Sequence, residues 1–305
     1  MAENSKIEWT DHTFNPWWGC VRVSPGCQHC YAETFAKRVG QKVWGVDADR
    51  RFFGDKHWNE PLKWNRDAEK AGKRARVFCA SMADVFEDRR DLDEHRHRLW
   101  NLIELTPWLE WLLLTKRPEN FSKLAPGPWV TRRCPDNVRV GTTAEDQQRA
   151  DERLAHLVTI PAHRFVSVEP QIGPVTFRWA SWDRHTPDPS RRNQLPPVER
   201  DGTIIAGSVD HLDGLRMLDW IIVGGESGPG ARPFNVEWAR EIVRQCVEAG
   251  VPVLVKQLGA DPKTALGGRF EFRDRKGGDW SEWPEDLRIR QFPHDVATSH
   301  AISNA

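Results

Sequence analysis

The 305-residue chain balances 44 basic against 44 acidic residues, with a sequence pI near 7.2 and a mean hydropathy of −0.65. No global field therefore draws it to nucleic acid, to acidic ligands or to a membrane surface, and any such partner must be met by a local patch. No apolar run reaches the roughly 18 to 20 residues of a spanning helix, and the polar start MAENSKIEW lacks a signal-like apolar core, so the expectation is a cytoplasmic protein with no membrane contact.

The first informative stretch is NPWWGCVRVSPGCQHCYAE, residues 15–33, which places Cys20, Cys27 and Cys30 close together. In a reducing compartment, clustered thiols read as metal ligands or catalytic groups rather than disulfides. A structural zinc site is closed by four ligands, usually in two pairs, and only one C-x-x-C pair is present here. His29 is cramped between used positions; Cys79 and Cys134 stay open as remote fourth ligands, although Cys79 lies inside a predicted strand, where it reads as a small buried hydrophobe. An iron–sulfur cube answers the odd count better: its four irons each take one outer ligand, so three thiolates leave one iron open to a small chelating molecule. A zinc-stabilised binding module without catalysis stays an alternative, as does a barrel scaffold without cluster activity.

Downstream, short apolar runs alternate with helical patterns. RVFCAS (76–81), EWLLLT (110–115), NVRVGT (137–142), RFVSVE (164–169), DWIIVGG (219–225) and VPVLVKQ (251–257) predict buried parallel strands. One helix is predicted from an Asn235 cap through Trp238, Ile242, Val243, Cys246 and Val247 to Gly250. A second carries Leu92, Leu99, Leu102 and Ile103, and a third Ala150, Leu154 and Leu157. Strand–helix alternation over this length predicts an α/β fold, a partial or complete (β/α) TIM-like barrel spanning residues 1–258 as one domain. Polar groups at the strand ends then face the barrel mouth. Glu169 and Lys256 are candidates for substrate contact there, with an ion pair closing the rim as the competing role. Lys116 and Arg117 suit a carboxylate or phosphate, and the glycine-rich VGGESGPG offers close backbone approach through Gly224 and Gly225, with Glu226 beside them. Residues 180–215, rich in Pro, Arg, Asp and Gly, read as an insertion. Residues 259–305 read as a C-terminal extension packing back by its aromatics, with a small hairpin and a frayed end.

The cysteine stretch resembles the cluster-binding loop of the radical SAM superfamily, which follows the first barrel strand. The wider pattern (IEWTDHTFNPWWGC, SPGCQHCYAE, CASMADVF, LLLTKRPEN, RFVSVEPQIGPV, WIIVGGESGPGARP and VPVLVKQLG) resembles an uncharacterised three-cysteine family of phage and bacterial proteins. A more distant similarity is to spore photoproduct lyase. The resemblance implies a radical SAM-type barrel in which Cys20, Cys27 and Cys30 hold a 4Fe-4S cluster. S-adenosylmethionine binds the open iron and is cleaved by one electron to methionine and a 5′-deoxyadenosyl radical. The usual C-x3-C-x2-C loop is C-x6-C-x2-C here. His29 replaces the usual aromatic before the third cysteine, and Tyr31 takes over the packing near the adenine. The Gly-Gly-Glu element of the second strand is absent; SMAD stands in its place, so Ser81 and Asp84 are the acceptors assigned to the methionine ammonium. The GGE at 224–226 follows a later strand. The first candidate substrate is a nucleic-acid base or nucleotide, with EKAGKRARVF and DRHTPDPSRR as local basic stretches. Flavodoxin or ferredoxin is the implied type of electron donor.

Overall fold

The structure, a computed structural model, describes residues 3–178, 198–200, 203–205, 212 and 214–293. It falls into two compact units: Met1–Thr143 with Ile160–His163, and Ala144–Thr159 with Arg164–Ala305. Seven parallel strands are β1 (His12–Thr13), β2 (Ala75–Cys79), β3 (Leu109–Thr115), β4 (Val138–Thr143), β5 (His163–Val168), β6 (Trp220–Gly224) and β7 (Val253–Gln257). Their order in the sheet is their order in the chain. This is an α/β fold with the sequential parallel strands of a partial (β/α) barrel. Each of the six apolar runs forms its strand within two residues of the predicted bounds.

In the first unit, β1 pairs with β2 through His12↔Val77 and Thr13↔Phe78, β2 with β3, and β3 with β4. The pattern LEWLLLT of β3 is buried on both faces, as a central parallel strand must be. Helices α1 (Tyr31–Arg38), α2 (Glu60–Lys70) and α3 (Asp93–Glu104) belong to this unit. Val77, Cys79, Trp111, Leu113, Val138 and Val140 of the strands, and Leu99 and Ile103 of α3, have no solvent exposure. Arg139 pairs with Glu110 at 2.6 Å, both buried. The guanidinium thereby compensates a carboxylate that would be costly to bury alone.

In the second unit, β6 lies between β5 and β7. Helix α4 (Gln147–Leu157) is capped by the Asp146 carboxylate, which accepts from Arg149 N at 2.8 Å, and buries Ala150, Leu154 and Leu157 as predicted. Helix α5 (Val236–Ala249) starts at the predicted Asn235 cap, whose side chain accepts from Glu237 N, and stops at Gly250 in the left-handed conformation, φ 69°. Val247, expected on its apolar face, is 62% exposed. It sits about 40° beyond Val243 around the helix, past the edge of the buried stripe.

The insertion predicted at 180–215 lies largely outside the described residues. Within it, Val198–Arg200 and Thr203–Ile205 form an antiparallel pair. Of the extension, the frayed end from 294 onward is likewise outside the described residues. Residues 259–293 pack against the second unit: Val255 N donates to Ile289 O, Gln291 N to Val253 O and Trp220 Nε1 to Gln291 O. The hairpin there is a single antiparallel bridge, Lys263↔Arg269. Among the described residues, no helix is long and apolar enough to cross a membrane.

Candidate functional site

The three thiols lie on the loop that joins β1 to α1 in the first unit, none of them in a disulfide. The loop is fastened at both ends. At its start Asn15, 1% exposed, accepts from Met82 N at 2.7 Å and donates to Ser81 Oγ at 3.1 Å, tying the end of β1 to the end of β2. Next, Trp17–Trp18 pairs antiparallel with Arg51–Phe52, Gly19 N donates to Met82 O, and Gly45 N donates to Cys20 O. Trp17 is core, and Trp18 packs edge-on to Phe35 and Phe53 with the Arg51 guanidinium 4.7 Å above its ring.

Gly19 is required where it stands. Its φ is 121°, and a Cβ would lie 2.3 Å from Val43 O and 2.6 Å from Arg50 Cδ. The segment 43–50 that presses on it is organised by Arg50. This guanidinium donates to the carbonyls of Val43, Gly45 and Ala48 and pairs with Glu87 at 2.6 Å, both side chains buried.

Cys20 is bordered by charge. Arg117 Nη1 lies 3.7 Å from its Sγ, while Arg117 Nη2 donates to Val21 O at 2.9 Å. Asp84, 4% exposed, is saturated with donors. Its Oδ1 accepts from Phe86 N at 3.0 Å and Thr115 Oγ1 at 2.7 Å, its Oδ2 from Lys116 N at 3.0 Å and Arg117 Nη1 at 2.8 Å. Burial, with the Asp84 carboxylate adding to it, pushes the Cys20 thiol up to about 12, and Arg117 works against both. Cys30 stands at the N-terminus of α1. Burial raises its thiol as well, opposed by the first-turn amides of Glu33 and Ala32. Cys27 Sγ lies 3.8 Å from Ser24 Oγ. Tyr31 is 59% exposed and its hydroxyl donates to Ser81 O at 3.1 Å. The loop thus collects Cys20, Ser81, Asp84, Tyr31 and Arg117 around one strand–helix junction, and the first four are residues the sequence singles out together.

The donor chemistry of this loop fits an iron–sulfur cluster. It offers three thiols, with a guanidinium N–H at one sulfur and helix amides near another, the donors that cluster thiolates accept. The sulfurs are not drawn to one point: among the described residues no three His, Cys, Asp or Glu side chains converge so as to hold a metal ion.

His57 supports the same junction. A ring nitrogen, Nε2, lies 2.8 Å from Asn15 O, and the ring stacks on Phe53 at 4.1 Å. Burial lowers its pKa to about 4, only partly offset by the Asn15 contact, so the ring is neutral at pH 7 and donates Nε2–H to that carbonyl. In the window from about 6.5 down to about 4 the unfolded chain binds a proton that the folded chain refuses. His57 therefore costs no stability above pH 6.5 and a growing amount as pH falls through the window. The urea midpoint of a His57→Gln variant should fall less between pH 7 and pH 4.5 than that of the parent. Parallel declines would contradict a neutral His57.

In the second unit, Glu169 and Lys256 do meet: Lys256 Nζ lies 3.0 Å from Glu169 Oε1, and Ser167 Oγ donates to Glu169 Oε2 at 3.3 Å. The missing Cβ of Gly224 makes room for that carboxylate, since an added Cβ would stand 2.8 Å from Glu169 Oε1. Gly225 is pressed against the chain itself, with Leu258 O 2.7 Å from where a Cβ would be. Glu226 is gripped by Arg232, which donates through Nη2 to Oε1 at 2.8 Å and through Nε and its backbone N to Oε2. The Glu226–Arg232 pair thus closes the 224–232 turn.

A family model described as "Protein of unknown function (DUF5131)" matches residues 4–284. The chain belongs to this family. Among curated proteins, none matches. Among solved structures, a cysteine-to-serine mutant of spore photoproduct lyase is similar to this chain at 19% identity with a TM-score of 0.40. The match covers 55% of this chain and 47% of that one, so the chain spans about half the length of that protein.

Proposed function

We propose that the protein is a radical SAM-type enzyme in which Cys20, Cys27 and Cys30 ligate a 4Fe-4S cluster and leave one iron for S-adenosylmethionine. The observation that carries this reading is the loop itself: three thiols without disulfides between the first parallel strand and α1, with N–H donors at two of the sulfurs. Trp17 Nε1 and Trp18 Nε1, buried next to the loop in the chain, have no acceptor among the described residues. Buried donors of this kind call for an acceptor that a bound group can supply.

The cluster and the sulfonium supply the one-electron chemistry. The chain's residues bind and orient. Asp84, with all its acceptor positions occupied, holds Arg117, and Ser81 is left as the hydroxyl that meets a ligand ammonium. Tyr31 offers an exposed ring for a purine to stack on. Glu169 and Lys256 are the candidates for substrate contact, as a carboxylate–ammonium pair able to hold a polar group or pass it a proton. Gly224, Gly225 and Glu226 shape the neighbouring turn and offer backbone groups for the ribose or methionine part.

The substrate we favour is a nucleic-acid base or nucleotide, with a flavodoxin or ferredoxin as electron donor and a reducing, cytoplasmic setting. Of the two basic stretches that favour it, 69–78 precedes and enters β2, and 183–192 lies outside the described residues.

Anaerobic reconstitution with iron and sulfide tests the reading. A brown protein with a four-iron EPR signal, releasing 5′-deoxyadenosine when given dithionite and S-adenosylmethionine, is the expected result. A colourless protein that takes up no iron overturns it, and one zinc per chain would replace it with a structural site.

A further inference from the structure

The Asp84–Arg117 pair is more elaborate than closing a strand end requires. Both groups are buried, at 4% and 8% exposure, and they reach the cysteine loop from 64 and 97 residues further along the chain than Cys20. The guanidinium is fixed from two sides, by Asp84 Oδ2 at 2.8 Å and Val21 O at 2.9 Å, which leaves Nη1 against Cys20 Sγ. Asp84 cannot swing away, because Phe86 N, Thr115 Oγ1 and Lys116 N hold its two oxygens. A cation and an anion are therefore held at fixed positions beside one sulfur, out of reach of solvent screening.

We propose, on the reading that Cys20 ligates iron, that Arg117 and Asp84 are positioning residues that set the reduction potential of that centre in opposite directions. An N–H···S bond from a cation stabilises the extra electron of the reduced state, and a nearby carboxylate opposes it. Because the two charges touch, neither can be changed without unbalancing the other. The step involved is the uptake of one electron by the iron centre from an external reductant, and no bond is made or broken in it.

The test is an EPR-monitored redox titration of the reconstituted full-length protein without S-adenosylmethionine, for the parent, Arg117→Gln and Asp84→Asn. At the potential where the parent is half reduced, the ratio of reduced to oxidised centre should be about tenfold lower in Arg117→Gln and about tenfold higher in Asp84→Asn. Tenfold corresponds to 59 mV for a one-electron couple. Arg117→Lys, which keeps the charge, should stay within about threefold of the parent. Opposite signs support the proposal. A purely structural role would loosen the loop in either variant and shift both the same way, so equal signs, or shifts under threefold in both, overturn it. If Arg117→Gln does not fold, Asp84→Asn, which keeps the size and shape of the side chain, decides alone: no upward shift overturns the proposal. Iron uptake by the parent with unshifted variants defeats this inference only, whereas no iron uptake by the parent defeats the functional reading and the inference with it.

Discussion

Gly19→Ala should destabilise the protein by about 4 kcal/mol, read as a fall in the urea midpoint followed by tryptophan fluorescence. Two costs combine. A residue with a Cβ held at φ 121° carries backbone strain of about 1–3 kcal/mol, and the new methyl group overpacks the site by about as much again. The obstacles are not compliant, because Val43 O at 2.3 Å is backbone and Arg50 Cδ at 2.6 Å belongs to a buried, fully bonded side chain. Gly40→Ala is the control. It also has positive φ, 75°, but open space around it, so only the left-handed cost of about 1–2 kcal/mol applies. Equal effects at the two glycines would mean that the close approach at Gly19 is absent in solution.

Arg50→Met should cost about 3–5 kcal/mol, the range for breaking a buried ion pair by removing one partner. The loss has two parts that can be separated. Glu87, 3% exposed, is left as a buried carboxylate without its cation, and the carbonyls of Val43 and Gly45 lose their donor, while Ala48 O keeps Arg89 Nη1 at 3.2 Å. Adding Glu87→Gln removes the stranded charge and should return roughly half of the loss, because the carbonyls remain unsatisfied. Full recovery would reduce Arg50 to a counter-ion, and no recovery would place its whole role in bonding the 43–48 backbone. Chemical denaturation of the two single variants and the double gives the answer as a mutant cycle.

The strands were easy to read because parallel strands covered on both faces must be apolar throughout, and runs such as EWLLLT and WIIVG have little else they can be. β1 had no such mark. It is two residues long, His12–Thr13, and depends on the pairing with β2 rather than on its own composition. The helix bounds at Asn235 and Gly250 were legible because capping is a local code. The cysteines, Ser81 and Asp84 stood out as chemistry-bearing types at the ends of predicted elements. What those types bond to was not legible. The sequence suggests Arg117 for a carboxylate, and the carboxylate turns out to be Asp84 of the same chain. Glu87, Asn15 and His57 gave no local signal, since their side-chain partners lie 37, 67 and 42 positions away, and nothing in the composition around Arg50 marks the carbonyls it gathers. Gly19 did carry one: a glycine wedged between a tryptophan pair and a cysteine is where a backbone needing φ above zero would be sought.

Gly224, Gly225 and Gly259 interlock at the tip of the second unit. A methyl group on any of them would come within 2.8 Å of Glu169 Oε1, Leu258 O or Glu226 O respectively. At Gly225 and Gly259 the obstacle is backbone and cannot yield, whereas at Gly224 it is the end of the Glu169 side chain. The 227–231 segment differs, since a Cβ added at Gly228 or Gly230 would meet open space. Side chains are therefore tolerated in this turn at 227–231, and resisted where Gly225 and Gly259 meet backbone.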